Sequence, residues 1–218
     1  MSGSRLDPGR LALHQVVRFH EESARVRALG EREAFRLVPR DRCLRAEWTR
    51  LDPEDDDTPF AFARICSGGG ALVIESFSED WLRAAEREIS GGAAWPHDET
   101  RALPFERLLE TPHAICGPAG QAASPHLARR EVAELYLRLA WPFLPNDALG
   151  GRTPSAVAET ASGRERLEIL TEALPDSLRE AWACFPDLDA DEMRDILFPR
   201  RVRRATGEPA PIPDPRRT

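Results

Sequence analysis

"FAFARICSGGGALVIESFSEDWLRAAEREI", residues 60–89, is the stretch on which the fold turns. Residues 60–66 and 71–77 read as two strands, and the "SGGG" between them reads as a hairpin turn, since glycine accepts the backbone angles that tight turns demand. Ser78 is then placed to cap a helix in which Trp81, Leu82, Ala85 and Ile89 share one face, and Gly91 and Gly92 end it. Just upstream, "CLRAEWTRL" alternates Leu44, Ala46 and Trp48 against Arg45, Glu47 and Thr49, which predicts a third strand over 44–50. The acidic run "DPEDDDTP", residues 52–59, reads as a loop. Earlier still, residues 11–29 put Leu13, Val16, Val17, His20 and Ala24 on one helical face, with Gly30 as a stop, and predict a helix. Residues 1–92 therefore form a helix followed by a β-β-β-α unit.

The remainder reads as helical. Residues 93–126 are rich in Pro, Gly and His and form a connecting segment with one short helix at "FERLLE". Residues 127–198 form a helical domain. In it Val132, Leu135, Tyr136 and Leu139 line one face, Pro142 ends the first helix, and Ser162 with Glu165 make a capping box ahead of Leu167, Leu170 and Leu174. Pro175 is expected to break that helix, and "DSLREAWACF" and "DADEMRDILF" to form two more. Residues 199–218 form an extended Arg/Pro-rich tail. The fold class is α+β, with the small β-β-β-α half packed against the helical half.

Composition narrows the partners. The chain has 218 residues, 41% of them hydrophobic, enough for a real core, and no apolar run approaches a membrane span. The polar N-terminus lacks the apolar segment of a secretory signal. Cys43, Cys66, Cys116 and Cys184 contain no CxxC, which fits free thiols in a reducing cytoplasm. All 30 basic residues are arginine, a usage expected of a GC-rich bacterial genome. The net charge of −7 disfavours general nucleic-acid binding. It is unevenly spread: residues 199–218 carry six arginines against Glu208 and Asp214, a balance of +4 that leaves −11 on the rest.

The motif that stands out is "NDALGGRTPSAVAET", residues 146–160. Gly150 and Gly151 suit a helix C-cap or tight turn, Thr153 suits an N-cap, and Pro154 suits the first helical position. Residues 141–174 resemble the toxin-binding domain of Xre/MbcA/ParS antitoxins through Trp141, Leu144, Leu149 to Pro154, Thr160, Gly163, Leu167 and Leu170. The resemblance implies a helical domain that docks on a RES-type toxin, an NAD-destroying enzyme, and covers its active site. Such antitoxins usually begin with a DNA-binding helix-turn-helix, whereas residues 30–90 read here as strands.

The expected partner-binding residues are Arg152, Gly150, Gly151 and Thr153 in the turn and Arg200, Arg201, Arg203 and Arg204 in the tail. The turn either closes the fold alone or also borders a binding face. Arg152 offers a guanidinium to an acidic partner group or to a helix C-terminus. Structural-adaptor and accessory nucleic-acid-binding roles, the latter through the tail, stand as alternatives. His97, His113, Cys116 and His126 match no full metal-ligand spacing, so no metal is expected, and with no nucleophile elbow, phosphate loop, HExxH or triad in the sequence, no cofactor and no catalytic residue is expected. "DLDADEMRDIL" mimics a calcium loop but has Glu192 where the glycine belongs, and Asp189 reads better as an N-cap.

Overall fold

The computed structural model describes residues 6, 10–20, 22–32, 34–38, 44–49, 60–92, 95–112 and 125–198. A six-stranded antiparallel sheet forms from β1 (Ala12–Arg18), β2 (Phe35–Val38), β3 (Leu44–Trp48), β4 (Ala63–Gly68), β5 (Ala71–Ser76) and β6 (Glu99–Pro104), in the order β2-β3-β4-β5-β1-β6. Among the described residues seven α-helices accompany it: α1 (Ser23–Leu29), α2 (Glu79–Ser90), α3 (Phe105–Glu110), α4 (Pro125–Leu139), α5 (Pro154–Ala158), α6 (Ala161–Ala181) and α7 (Ala190–Leu197). The chain is α+β, as the sequence predicts.

The hairpin and its helix form as expected. Gly68 pairs with Ala71, and Gly69 and Gly70 turn the chain at φ 59° and 83°, the left-handed pair that matches strand twist. The Ser78 hydroxyl accepts from the Trp81 N–H at the start of α2, and Gly91 ends that helix at φ 67°.

Other expectations need correction. The helix expected over 11–29 divides into strand β1 and the short helix α1. Leu13, Val16 and Val17 do repeat at helical spacing, but β1 lies between β5 and β6 and buries residues on both faces, so the repeat carries no helical meaning. The segment read as a connection, 93–126, contributes β6 to the sheet beyond its short helix α3. Pro175 does not end α6, which runs on to Ala181 with the proline buried. Nor does Ser162 cap α6: the Thr160 hydroxyl accepts from the Gly163 N–H, and Ser162 lies inside the helix. The acidic run 52–59, Cys43, His113, Cys116 and residues 199–218 lie outside the described residues.

Register divides the sheet into two unlike faces. Phe35, Ala46, Trp48, Ile65, Ile74 and Val16 share one of them, covered by Val26 and Leu29 of α1 and by Trp81, Leu82, Ala85 and Ile89 of α2. The other carries Arg36, Glu47, Arg64, Glu75, Gln15 and Arg101, one residue per strand in a row across all six. Helix α4 lies over this polar face. The apolar core continues between the halves through Phe62, Trp81 and Phe143 and through Phe105, Tyr136 and Trp182.

Candidate functional site

The glycine turn is exposed and closely held by its own hydrogen bonds. After α4 the chain makes a short 3-10 turn at Trp141–Phe143 and another at Asp147–Leu149. The Asn146 side chain accepts from the Ala148 N–H at 2.9 Å, and its carbonyl accepts from Leu149 and Gly151, both at 3.0 Å. Asn146 N–H in turn donates to the Arg152 carbonyl at 3.1 Å, closing a small ring of backbone. Gly150 and Gly151 stand at φ 67° and 75°, where a Cβ would be strained although space is open around them. The Thr153 hydroxyl then accepts from the Ala156 N–H, and Pro154 opens α5.

The turn is pinned from beneath and bare above. Trp141, Leu149, Pro154, Val157 and Ala158 are buried, whereas Asp147, Ala148, Gly150, Gly151 and Arg152 are exposed. The Arg152 Nη2 donates to the Ala156 carbonyl at 2.8 Å, so its guanidinium folds back on α5 and leaves its other donors at the surface. Helix α6 follows, and Gly163 seats it: a Cβ there would lie 1.8 Å from the Val157 carbonyl oxygen. On its outer side Ile169 is 68% exposed, a large apolar group on the surface of this half.

The second constellation was missed from sequence. Arg45, Glu47, Arg64 and Glu75 fall at alternating strand positions where solvent was the simple expectation, yet all four are buried. Arg64 places Nε and Nη2 each 2.6 Å from Glu75 Oε2, and Gln15 Nε2 donates to Glu75 Oε1 at 2.6 Å. Helix α4 completes the layer. Glu131 reaches Arg45 at 2.8 Å and Arg64 at 3.2 Å, and Glu134 lies 3.6 Å from Arg45. Arg138 grips Glu47 with Nε at 3.2 Å and Nη2 at 2.5 Å, and Glu47 also pairs with Arg36. Burial disfavours charge on Arg64, but Glu75 first, then the neighbouring Cys66 and Glu131, outweigh it and hold the guanidinium above its usual range. Once the register is known, Arg36 and Arg64 sit opposite Glu47 and Glu75 across the strands, whereas Arg45 faces Val38 and Cys66 and finds its glutamates on α4.

The remaining sequence candidates disperse. His97 Nδ1 lies 3.8 Å from Glu86 Oε1, the His126 side chain is not described, and among the described residues no group of three or more potential metal ligands converges. Asp189 caps α7 as the sequence predicts, and the structure adds the Glu192 side chain, which completes a capping box. Arg200, Arg201, Arg203 and Arg204 lie outside the described residues. No protein-family model, curated protein or solved structure matches the chain. Among the described residues no helix is long and apolar enough to cross a membrane.

Proposed function

We propose that this chain is a non-catalytic protein-binding module whose helical half docks on a partner as the toxin-binding domain of Xre/MbcA/ParS antitoxins does, with a RES-type NAD-degrading toxin as the expected target. The turn at 146–154 carries the reading. It is exposed, held by its own hydrogen bonds and set on buried anchors, so it loses little entropy when a partner closes on it. Its free arginine donors and the bare Ile169 supply the polar and apolar kinds of contact that binding surfaces combine. The buried charge layer serves this surface by fixing α4, and with it the turn, against the sheet.

A structural or adaptor role in a larger bacterial assembly is the second reading. It is favoured by the six-stranded sheet, which stands where the resembling antitoxins carry a DNA-binding helix-turn-helix.

The test is co-expression with a RES-type toxin, reading cellular NAD and co-purification. Protection of NAD is expected, and Arg152→Ala is expected to weaken capture by about ten-fold. Its melting temperature should stay near wild type, because one exposed hydrogen bond contributes only about 1 kcal/mol. Normal NAD loss with no co-purification excludes the toxin reading. A variant that melts several degrees lower but binds at full strength reduces Arg152 to a cap on α5.

A further inference from the structure

Strand β6 ends the sheet, and among the described residues it pairs with β1 alone. The phase of that pairing is fixed by the Phe105 N–H, which donates to the Leu11 carbonyl at 2.9 Å. Antiparallel ladders alternate, so Leu103, Arg101 and Glu99 turn their backbone groups toward β1, while Thr100 and Ala102 turn theirs away from the sheet. The side chains of Thr100, Ala102 and Pro104 are exposed and small, so the flank is open to another strand.

The charges on β6 have an order. Glu99 and Arg101 stand two residues apart on the same face, and Arg101 Nε and Nη2 each lie 2.6 Å from a Glu99 oxygen. We infer that β6 pairs edge to edge with β6 of a second copy of this chain, antiparallel about Thr100, joining two sheets into one. In that register Thr100 faces the partner's Thr100 through mutual backbone bonds. Glu99 lies opposite the partner's Arg101, and Arg101 opposite the partner's Glu99, so each charge pair is exchanged across the two-fold axis. Shifting the centre to Arg101 sets arginine against arginine. Shifting it to Ala102 brings Pro104, which has no N–H, opposite the partner's Thr100 inside the ladder, so a backbone bond is lost there. Charged edges ordinarily discourage pairing; here their order admits one register and penalises its neighbours. At the Glu99 end the Phe19 N–H donates to Asp98 Oδ2 at 2.7 Å, and the Phe19 ring, 63% exposed, adds apolar surface beside the edge.

Sedimentation velocity and native mass spectrometry on the full chain test this. The wild type is expected at twice the chain mass. Ala102→Pro removes an outward N–H and no bond to β1, so the dimer should be lost while the melting curve is kept. Glu99→Arg and Arg101→Glu should each weaken the dimer by about ten-fold, and the double reversal E99R/R101E should restore it. That charge series remains decisive if Ala102→Pro disturbs the strand. A wild type that stays monomeric at its highest soluble concentration overturns the inference, and so does a dimer indifferent to the reversals.

Discussion

Replacing Arg138 by methionine tests whether the buried charge layer holds the two halves together. Arg138 is 7% exposed and Glu47 5%, so neither charge has water to fall back on. Arg138→Met removes both guanidinium bonds to Glu47 and the two Nη1 bonds, 3.1 and 3.2 Å long, to the carbonyls of Ile196 and Leu197 at the end of α7. Methionine keeps most of the volume, so the loss is electrostatic rather than a cavity. Removing one partner of a buried pair costs about 3–5 kcal/mol when the other is left without compensation; Glu47 keeps Arg36, so a loss of about 3 kcal/mol is expected. A typical domain has only ~5–15 kcal/mol in total. The melting temperature is expected to fall on the order of 10 °C for a chain of this size. Urea unfolding followed by tryptophan fluorescence gives the free energy, with Glu47→Met and the double variant completing the cycle. The double variant should cost less than the two single changes together by about 1–3 kcal/mol, since the Arg138–Glu47 interaction is then lost once and not counted twice. As a control, Arg194→Ala breaks an exposed pair with Asp191 and should cost no more than about 1 kcal/mol. Single losses below about 1 kcal/mol, or a cycle additive to within about 0.5 kcal/mol, would refute the argument.

Gly163→Ala should destabilise by about 3 kcal/mol or more, although alanine ordinarily improves a helix over glycine, because the new methyl meets the Val157 carbonyl and not a movable side-chain end. Urea unfolding decides it, and any gain in stability contradicts the close approach of α5 and α6. Tyr136 is the chain's one tyrosine, and burial raises its pKa above the usual value. A group raised in the folded state contributes stability that is complete below the unfolded pKa of about 10 and is lost as pH climbs past it. Melting temperature should therefore decline above about pH 10, and tyrosinate absorbance should appear at its ordinary pKa only in urea.

How far the sequence speaks depends on whether burial is one-sided. The hairpin at 63–76 and helix α2 were legible because glycine geometry and a Ser78 cap act locally, whatever packs above them. The Asn146–Pro154 turn was legible for the same reason. Strand β1 was not, since a strand buried on both faces loses the alternation that marks a half-buried one, and Gln15 is fully buried against Glu75. Strand β2 has only four residues, too few to show a period, and the partly buried positions of β6 are Glu99, Arg101 and Leu103, so that strand shows no apolar alternation. Pro175 misled because packing overrides propensity: α6 is held by buried Leu167, Leu174 and Leu178 on either side of it. The candidate site divides likewise. The turn residues declared themselves through backbone chemistry, whereas the ion pairs between Arg45, Arg64 and Glu131 join residues far apart in the chain and needed the register to be seen.

The place of β1 has a consequence for synthesis. Among the described strands it is made first, yet its neighbours are β5 and β6, so His14 waits for Ser76 on one side and for Ala102 on the other. At ~5–20 residues per second, the nascent strand stays without its first neighbour for about 3–12 s. During that interval Leu13, Val16 and Val17 are exposed to whatever the ribosome's surroundings offer, and no sheet centre exists for the later strands to join. Slowed translation between Arg18 and Leu72 would lengthen this interval without changing a single residue, so yield of the folded chain should depend on the speed at which that interval is read, and on a chaperone that covers it.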